Sequence, residues 1–562
     1  MKSPISWLEA VGASIKDIAL WVRSLVVSKQ VCSRRCLTEI AARTPKSAAQ
    51  MRSKMNLHRL DLGSPQTSSF PSHSSLSREI IAKGTPRLMS DVHSLGPLGA
   101  IFLGSAMLMT LTTPCLAQVT TQSPKTVAVK PLFCPTNPYR WQEDCRDLAK
   151  ADLQGITRLR YLPLTDDGKL WLTIGGEART RLEMLHDINF GIGGQPGYTT
   201  TAGRLLFNAD LRSEDGVRTF VQMGTVNETG RKPGPRPQDR SAIDITQAFV
   251  DLPIDMGTTT VTTRIGRQEL DLSKNRLVTA RDGVTLRRAF EGIHVDFSLG
   301  DFKVALAKVR PMDLRDQAFD DRADKTEHFT ALSVDVPSRL VGGGALNLFL
   351  LDRDRHDARY LRAQGRERRY SMGAHYTGEI GNWTVDTQGT WQTGRVSGKP
   401  VRAYGAALAL DHELEAKTHT SIGFDLVTAS GDKVGTTAIE TFDPTYPNNF
   451  GLSDAPLFYQ TNYIFGGGSL SRRLSGATWT LGANLLTRQS TTDAIYANQK
   501  PISGAFGSHR ITSLLSQISV RKPFKTYYEF YASVVQAQAL GSLNAAGGRD
   551  AYYSRLQLTA RF

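Results

Sequence analysis

The stretch Trp171-Leu-Thr-Ile-Gly-Gly-Glu-Ala-Arg-Thr-Arg-Leu-Glu-Met184 decides the fold class, because its polarity repeats every second residue. Leu172, Ile174, Ala178, Leu182 and Met184 share one parity; Thr173, Glu177, Arg179, Arg181 and Glu183 share the other. Side chains alternate across a strand but follow a 3.6-residue period on a helix, so this pattern predicts strand. It recurs down the chain. Arg204-Leu-Leu-Phe-Asn-Ala-Asp-Leu-Arg212 sets Leu205, Phe207, Ala209 and Leu211 against Arg204, Asn208, Asp210 and Arg212. Ile293/Val295/Phe297/Leu299, Tyr370/Met372/Ala374/Tyr376, Trp479/Leu481/Ala483/Leu485 and Tyr528/Phe530/Ala532/Val534 repeat the apolar parity.

A soluble sandwich also alternates, but it rarely needs such long strands so consistently. A tilted strand crossing a bilayer needs about nine to eleven residues, with apolar parity toward lipid and polar parity toward the lumen. Connections should then alternate between short and long. Residues 378–382 and 522–525 read as short ones; 227–243, 311–327, 352–369, 429–458 and 488–510 read as long and polar. The chain ends Tyr552-Tyr-Ser-Arg-Leu-Gln-Leu-Thr-Ala-Arg-Phe562, an alternating strand with a terminal aromatic. That ending resembles the assembly signal of bacterial outer-membrane proteins. The expectation is an all-β transmembrane antiparallel barrel over 170–562, with about 18 strands (16 to 18) at roughly 20–24 residues per strand and connection, wide enough for an aqueous channel.

Composition agrees with one large barrel. In 562 residues there are 68 Lys+Arg against 53 Asp+Glu, a net charge of +15, with 49 Gly, 25 Pro and 5 Cys. Charged residues make up 22% of the chain, too many for a bundle of transmembrane helices, and cysteine is too scarce for a disulfide scaffold. The excess charge divides unevenly: +8 falls in residues 1–117 and +7 in 118–562, where Arg outnumbers Lys 39 to 15. Arginine suits a planar, bidentate grip on carboxylate or phosphate.

The apolar run from Leu95 to Leu111, flanked upstream by Lys83 and Arg87 and followed by Cys115-Leu-Ala117, reads as a secretory signal over 89–117, cleaved after Ala117. Residues 1–88, rich in Ser and Arg, fit an extension left by an initiator codon assigned too far upstream. Residues 118–169 are expected as a periplasmic segment. Cys134 and Cys145, the two cysteines beyond the signal, are an even and closely spaced pair that suggests a disulfide in an exported protein.

As a lumen, the polar parity pairs its charges: Glu177 and Glu183 flank Arg179 and Arg181, and Asp210 lies near Arg204 and Arg212. The densest charge lies in Arg264-Ile-Gly-Arg-Gln-Glu-Leu-Asp-Leu272, Arg276-Leu-Val-Thr-Ala-Arg-Asp-Gly283 and Arg287-Arg-Ala-Phe-Glu-Gly-Ile293. With Ser430-Gly-Asp432 and Thr441-Phe-Asp-Pro-Thr-Tyr-Pro447, these blocks resemble the alginate export family of outer-membrane porins. The resemblance covers about 170–562 and implies a monomeric 18-stranded barrel whose Arg-rich pore passes anionic polysaccharide outward. The candidate pore contacts are Arg179, Arg181, Arg204, Arg212, Arg264, Arg281, Arg287 and Arg288, with Glu177, Glu183, Asp210 and Asp282 as lumen carboxylates. If Val261, Thr263 and Ile265 face lipid, Arg264 and Gln268 face the lumen while Arg267 and Glu269 do not, unless a bulge at Gly266 resets the register.

The expected function is passive, anion-selective passage of acidic sugars or an anionic polysaccharide such as alginate. An uptake porin for small anionic solutes is the alternative, and a barrel-embedded enzyme or a purely structural barrel the second. A TonB-type transporter would need a plug of over a hundred residues, and only about fifty separate Ala117 from the first strand. His186, His294, His328, His356, His375, His412 and His419 are scattered without a nucleophile motif, so no catalytic residue, cofactor or metal site is assigned. Expected partners are outer-membrane lipid, the anionic ligand and, for export, periplasmic proteins that deliver it. Nucleic acid is not among them, because basic and aromatic residues do not interleave on one face.

Overall fold

The computed structural model describes residues 134, 137–272, 277–448, 453–497, 499–525 and 527–562. The extension over 1–88, the signal over 89–117, residues 118–133 and Arg276 lie outside them. Among the described residues, eighteen antiparallel strands form one closed barrel. In chain order they are β1 (Leu170–His186), β2 (Tyr198–Ser213), β3 (Arg218–Thr229), β4 (Arg240–Asp255), β5 (Thr260–Gln268) and β6 (Phe290–Leu299). Next come β7 (Phe302–Asp313), β8 (Glu327–Val336), β9 (Ala345–Arg359), β10 (Gln364–Ile380), β11 (Trp383–Val396) and β12 (Lys399–Glu415). The last six are β13 (Thr420–Ala429), β14 (Tyr463–Leu474), β15 (Ala477–Thr487), β16 (Ile511–Phe524), β17 (Tyr528–Ala539) and β18 (Ala551–Arg561).

Each strand pairs with its sequence neighbour, and β18 closes on β1 in a register running from Glu177↔Arg561 to His186↔Tyr552. The seam continues into the final residue, where Gly176 and Phe562 exchange backbone hydrogen bonds of 3.1 and 3.2 Å. Gly176 permits this approach, because a Cβ there would sit 2.7 Å from the Phe562 ring. Closure leaves no unpaired edge, which is the condition for strands to lie in hydrocarbon.

The wall is polar inside and apolar outside. Leu205, Phe207, Ile293, Leu306, Met372, Leu481, Leu556 and Leu558 stand exposed on its outer face, while Glu177, Arg204, Gln222 and Arg369 on the inner parity are buried. Outward-facing Trp383, Trp479, Tyr528 and Phe530 gather near the short-turn rim, as aromatic girdles do. At that rim the connections are short, such as 300–301, 381–382 and 475–476. At the other they include 269–289, 430–462 and 488–510. These three fold inward and are stitched together. Tyr446 N–H donates to Leu277 O at 2.8 Å, Tyr459 N–H to Tyr496 O at 2.8 Å, and Tyr446 packs edge-on against wall residues Phe290 and Phe329 at 5.0 and 5.1 Å.

One loop expectation fails. Residues 352–369 are almost entirely strand, with β9 and β10 paired as Arg353↔Arg369 and Arg355↔Glu367 and joined by 360–363. The run reads as polar on both parities because both faces are ion-paired: Arg366 and Arg368 meet Asp354 and Asp352 outside, each at 2.9 Å, while Arg353, Arg355, Glu367 and Arg369 turn inward. Conversely 269–289, read only as a charge-dense stretch, is a long inward loop.

Candidate functional site

The inward arginines of β1 and β2 converge on the tip of loop 269–289. Asp282 receives Arg179 at 2.8 Å, Arg204 at 2.8 Å and Arg287 at 2.9 Å. Arg204 also grips Glu177 through Nε at 2.8 Å, and Arg287 holds Glu269 at 2.8 Å. The loop backbone is held as well: Arg179 donates to Asp282 O, Arg181 to Gly283 O and Arg204 to Thr285 O, at 2.8, 2.9 and 3.1 Å. Burial alone would push the Asp282 carboxyl up, but the three guanidiniums hold it well below the usual carboxylate range.

A second clamp of the same design sits on the opposite wall. Asp443, from the Thr441-Phe-Asp-Pro-Thr segment of loop 430–462, meets Arg355 at 2.5 Å and Arg353 at 3.4 Å, and accepts from the Tyr360 hydroxyl at 2.9 Å. Arg353 donates to Thr445 O and Arg369 to Thr441 O, both at 3.0 Å. Glu327 and Glu367 complete the charge balance on Arg353, Arg355 and Arg369, each pair at 2.7 Å. The third loop joins the second through Asp493, which accepts from the Asp432 amide at 2.8 Å and the Thr441 hydroxyl at 2.6 Å.

Arg281 and Arg288 differ from every arginine in the clamps. Both are half-buried, and among the described residues neither has a carboxylate within ion-pair distance. Arg281 takes a left-handed backbone, φ 63°, and its Nε is buried without a hydrogen-bond partner. Arg288 lies over the Tyr446 ring at 5.1 Å and reaches only Thr279 O, at 3.3 Å. Burial, then the neighbouring Arg288 and Arg236 guanidiniums, push the Arg281 pKa down. Tyr459, whose hydroxyl is buried and unpartnered, bears on both arginines. A guanidinium stays charged at neutral pH, so this pair is a cationic centre with no carboxylate in direct contact among the described residues.

The remaining sequence candidates are paired. Glu183 holds Arg555 at 2.9 Å and lies 3.8 Å from Arg181; Arg212 meets Asp210 at 2.9 Å; Arg264 makes a bidentate pair with Asp251 at 2.7 and 2.8 Å. The register expectation at β5 is half corrected. Arg267 lies on the outer side, paired with Asp244 at 3.1 Å, but Glu269 reaches Arg287 inside. No shift at Gly266 is needed: β5 ends at Gln268 and the chain turns into the lumen, so strand parity no longer applies. Parity missed Arg218, Arg353, Arg355, Arg369, Asp443 and Tyr459. The signal for Arg353, Arg355 and Arg369 was the alternation inside 352–369.

Cys134 and Cys145 form a disulfide with Cα atoms 5.1 Å apart. The segment they close enters the lumen from the short-turn rim, where Thr173 of β1 donates to Arg160 O at 3.0 Å, and reaches inward as far as Glu269, to which Trp141 Nε1 donates at 3.1 Å.

A closed barrel with an apolar belt, a charged lumen and inward loops defines an outer-membrane channel, resident in the bacterial outer membrane. The family model for alginate export matches residues 170–540, and the chain belongs to that family. No curated protein matches the sequence. Among solved structures the chain is similar to the Pseudomonas aeruginosa outer membrane protein OpdK at 10% identity and TM-score 0.48, covering 69% of this chain and 98% of that one. It is also similar to P. aeruginosa OpdO, at 13% identity and TM-score 0.47, covering 70% and 97%. Acinetobacter baumannii OccAB2 matches at 12% identity and TM-score 0.47, covering 69% and 98%. Family and fold are those of channels rather than enzymes.

Proposed function

We propose that the barrel passively conducts anionic saccharides, uronate-bearing polymers or their fragments, with Arg281 and Arg288 as the selectivity filter. The observation that carries this reading is the missing counter-ion: the clamp arginines are neutralised by carboxylates of the chain, while this half-buried pair meets none at ion-pair distance among the described residues. A passing carboxylate supplies what the fold withholds, in a lumen where partial desolvation strengthens the attraction. Tyr446, buried with the Arg288 and Arg353 guanidiniums over its ring, backs the pair from behind. The filter serves export and uptake alike, so direction follows the ligand gradient.

The test is reversal potential across planar bilayers under a salt gradient, with block by oligogalacturonates of increasing length. Anion preference that falls in Arg281→Ala/Arg288→Ala, with block by uronates and not by uncharged dextran of equal length, is the expected result. Cation preference in the unaltered channel overturns the reading.

A further inference from the structure

The basic lumen face below the filter is already occupied, and the occupant is the chain itself. Arg218 donates to Trp141 O at 2.7 Å, Arg212 donates to Glu143 O, and Arg212 lies 3.4 Å from the Asp144 carboxylate. The Arg264 guanidinium lies over the Trp141 ring at 5.1 Å, and that of Arg287 over the Tyr139 ring at 5.9 Å. Acceptor oxygens on guanidiniums, with a flat ring stacked alongside, are what a carboxylated sugar would offer the same residues. Three arginines on this face, Arg212, Arg218 and Arg264, share two wall carboxylates, Asp210 and Asp251. Asp144 supplies the third negative charge, so withdrawing the segment would leave the face net positive.

The segment has a small apolar centre of its own. In it Cys134, Cys145 and Leu148 pack with Ala151, Leu153 and Tyr161, apart from the apolar cluster of the lumen, and its ring contact with the wall is Tyr161 stacked on Trp171 of β1 at 6.1 Å. It contributes short 3-10 turns at Arg140–Gln142 and Arg146–Lys150, and its pairing with the wall is limited to Leu162–Pro163 on β1. Its polar seat on the barrel consists of Arg160 donating to Phe562 O at 3.3 Å, Arg140 donating to Phe562 O and Thr173 of β1 donating to Arg160 O at 3.0 Å, while the Arg160–Glu143 bond at 2.7 Å is internal. At this seat Gly175 leaves room, since a Cβ there would collide with the Arg140 and Arg160 guanidiniums. The disulfide closes the segment on itself, so it does not cross-link residues 134–145 to the barrel.

We propose that the face formed by Arg212, Arg218 and Arg264 is a periplasmic-side subsite for a carboxylate-bearing ligand, and that residues 137–146 occupy it as a displaceable internal competitor. The ligand class rests on the function proposed above; the competitor does not. The experiment uses the full chain in planar bilayers, with digalacturonate as probe and heat-modifiable migration to confirm folding. Trp141→Ala removes the ring from Arg264 and the donor to Glu269, and Arg140→Ala removes a donor by which the segment holds Phe562 O. Each should raise the open-to-closed ratio about tenfold, the size expected for losing one hydrogen bond to a charged group. In the unaltered channel digalacturonate should raise the ratio of open to closed dwell times by displacing the segment, while its block at the filter is read separately as a smaller open-state current; Arg218→Ala placed in the Trp141→Ala background should weaken digalacturonate binding. An unchanged ratio in both folded variants overturns the competitor. A channel that opens in the variants but ignores digalacturonate overturns the subsite, and if its reversal potential also shows no anion preference, the filter falls with it.

Discussion

Loop 269–289 places arginines of opposite character a few residues apart. Arg287 is buried, bound to Glu269 and Asp282, and shares Asp282 with Arg179 and Arg204. Arg288, next in sequence, and Arg281, beside Asp282, are half-buried and meet no carboxylate among the described residues. The difference is one of accounting for charge. A clamp guanidinium whose donors are met by wall and loop carboxylates fixes that loop and is closed to a ligand while the loop stays seated; one with no carboxylate at ion-pair distance among the described residues is open to a ligand without any such displacement. The Asp443 clamp repeats the first arrangement on the far wall, so the lumen has two structural anchors with a cationic gap between them.

The comparison breaks most visibly at the anchors. Asp282→Ala removes the carboxylate shared by three buried guanidiniums, leaving Arg179 and Arg204 only Glu177 and Arg287 only Glu269, and removing one partner of a buried ion pair costs about 3–5 kcal/mol. The expected outcome is a clear fall in the temperature of heat-modifiable migration, with noisy, enlarged conductance as loop 269–289 leaves the lumen. Asp443→Ala should do the same for loop 430–462. If either variant keeps both the unfolding temperature and the conductance of the unaltered channel, the clamps do not hold the loops. Arg281→Ala/Arg288→Ala should behave in the opposite way, with selectivity shifting toward cations while the unfolding temperature stays within about 1 kcal/mol of stability, because no internal pair is broken. A large loss of stability in that double variant would place these residues with the anchors.

Alternation in 171–184 and 552–562 made the barrel legible, because a strand with lipid on one side and water on the other must carry its polarity at period two. The division of labour among the arginines was not legible. Arg179 and its partner Asp282 are 103 residues apart, and Arg353 and Asp443 are 90 apart, so no local pattern reports whether an inward arginine is neutralised. Parity also stops at a strand end, which is why Glu269 defied it. The run 352–369 misled for a further reason: strands that continue beyond the hydrocarbon lose the apolar face by which a strand is recognised. The blocks Arg281-Asp-Gly283 and Thr441-Phe-Asp443, which carried the family resemblance, prove to be the two loop tips caught by the clamps.

The finest test of the comparison is acid, because it separates a clamped carboxylate from one outside the lumen. Burial would raise the Asp282 pKa, yet Arg179, Arg204 and Arg287 depress it, so the folded state holds its proton less readily than the unfolded chain. A depressed carboxyl contributes stability that is fully present above the unfolded value, about 3.9, and is lost only as pH falls through the lower folded value. Between pH 7 and 4 the anchor should therefore not titrate, and loop 269–289 should stay seated. Asp321, in the outer connection 314–326, is pushed up to about 6, by burial first and by the nearby Asp244. Its sign is opposite: the folded state takes up the proton more readily, so this connection gains stability as pH falls from 7 through 6 and loses it as pH rises. Hydrogen exchange followed over that range should show rising protection at the Ala242 and Phe319 amides, which bond Asp316 O and Ile243 O at 3.2 and 2.9 Å, and no change at the Leu286 amide. Asp321→Asn should abolish the first trend and leave the second flat. If the Leu286 amide instead loosens between pH 7 and 4, Asp282 is titrating, and the clamp is weaker than its three arginines require.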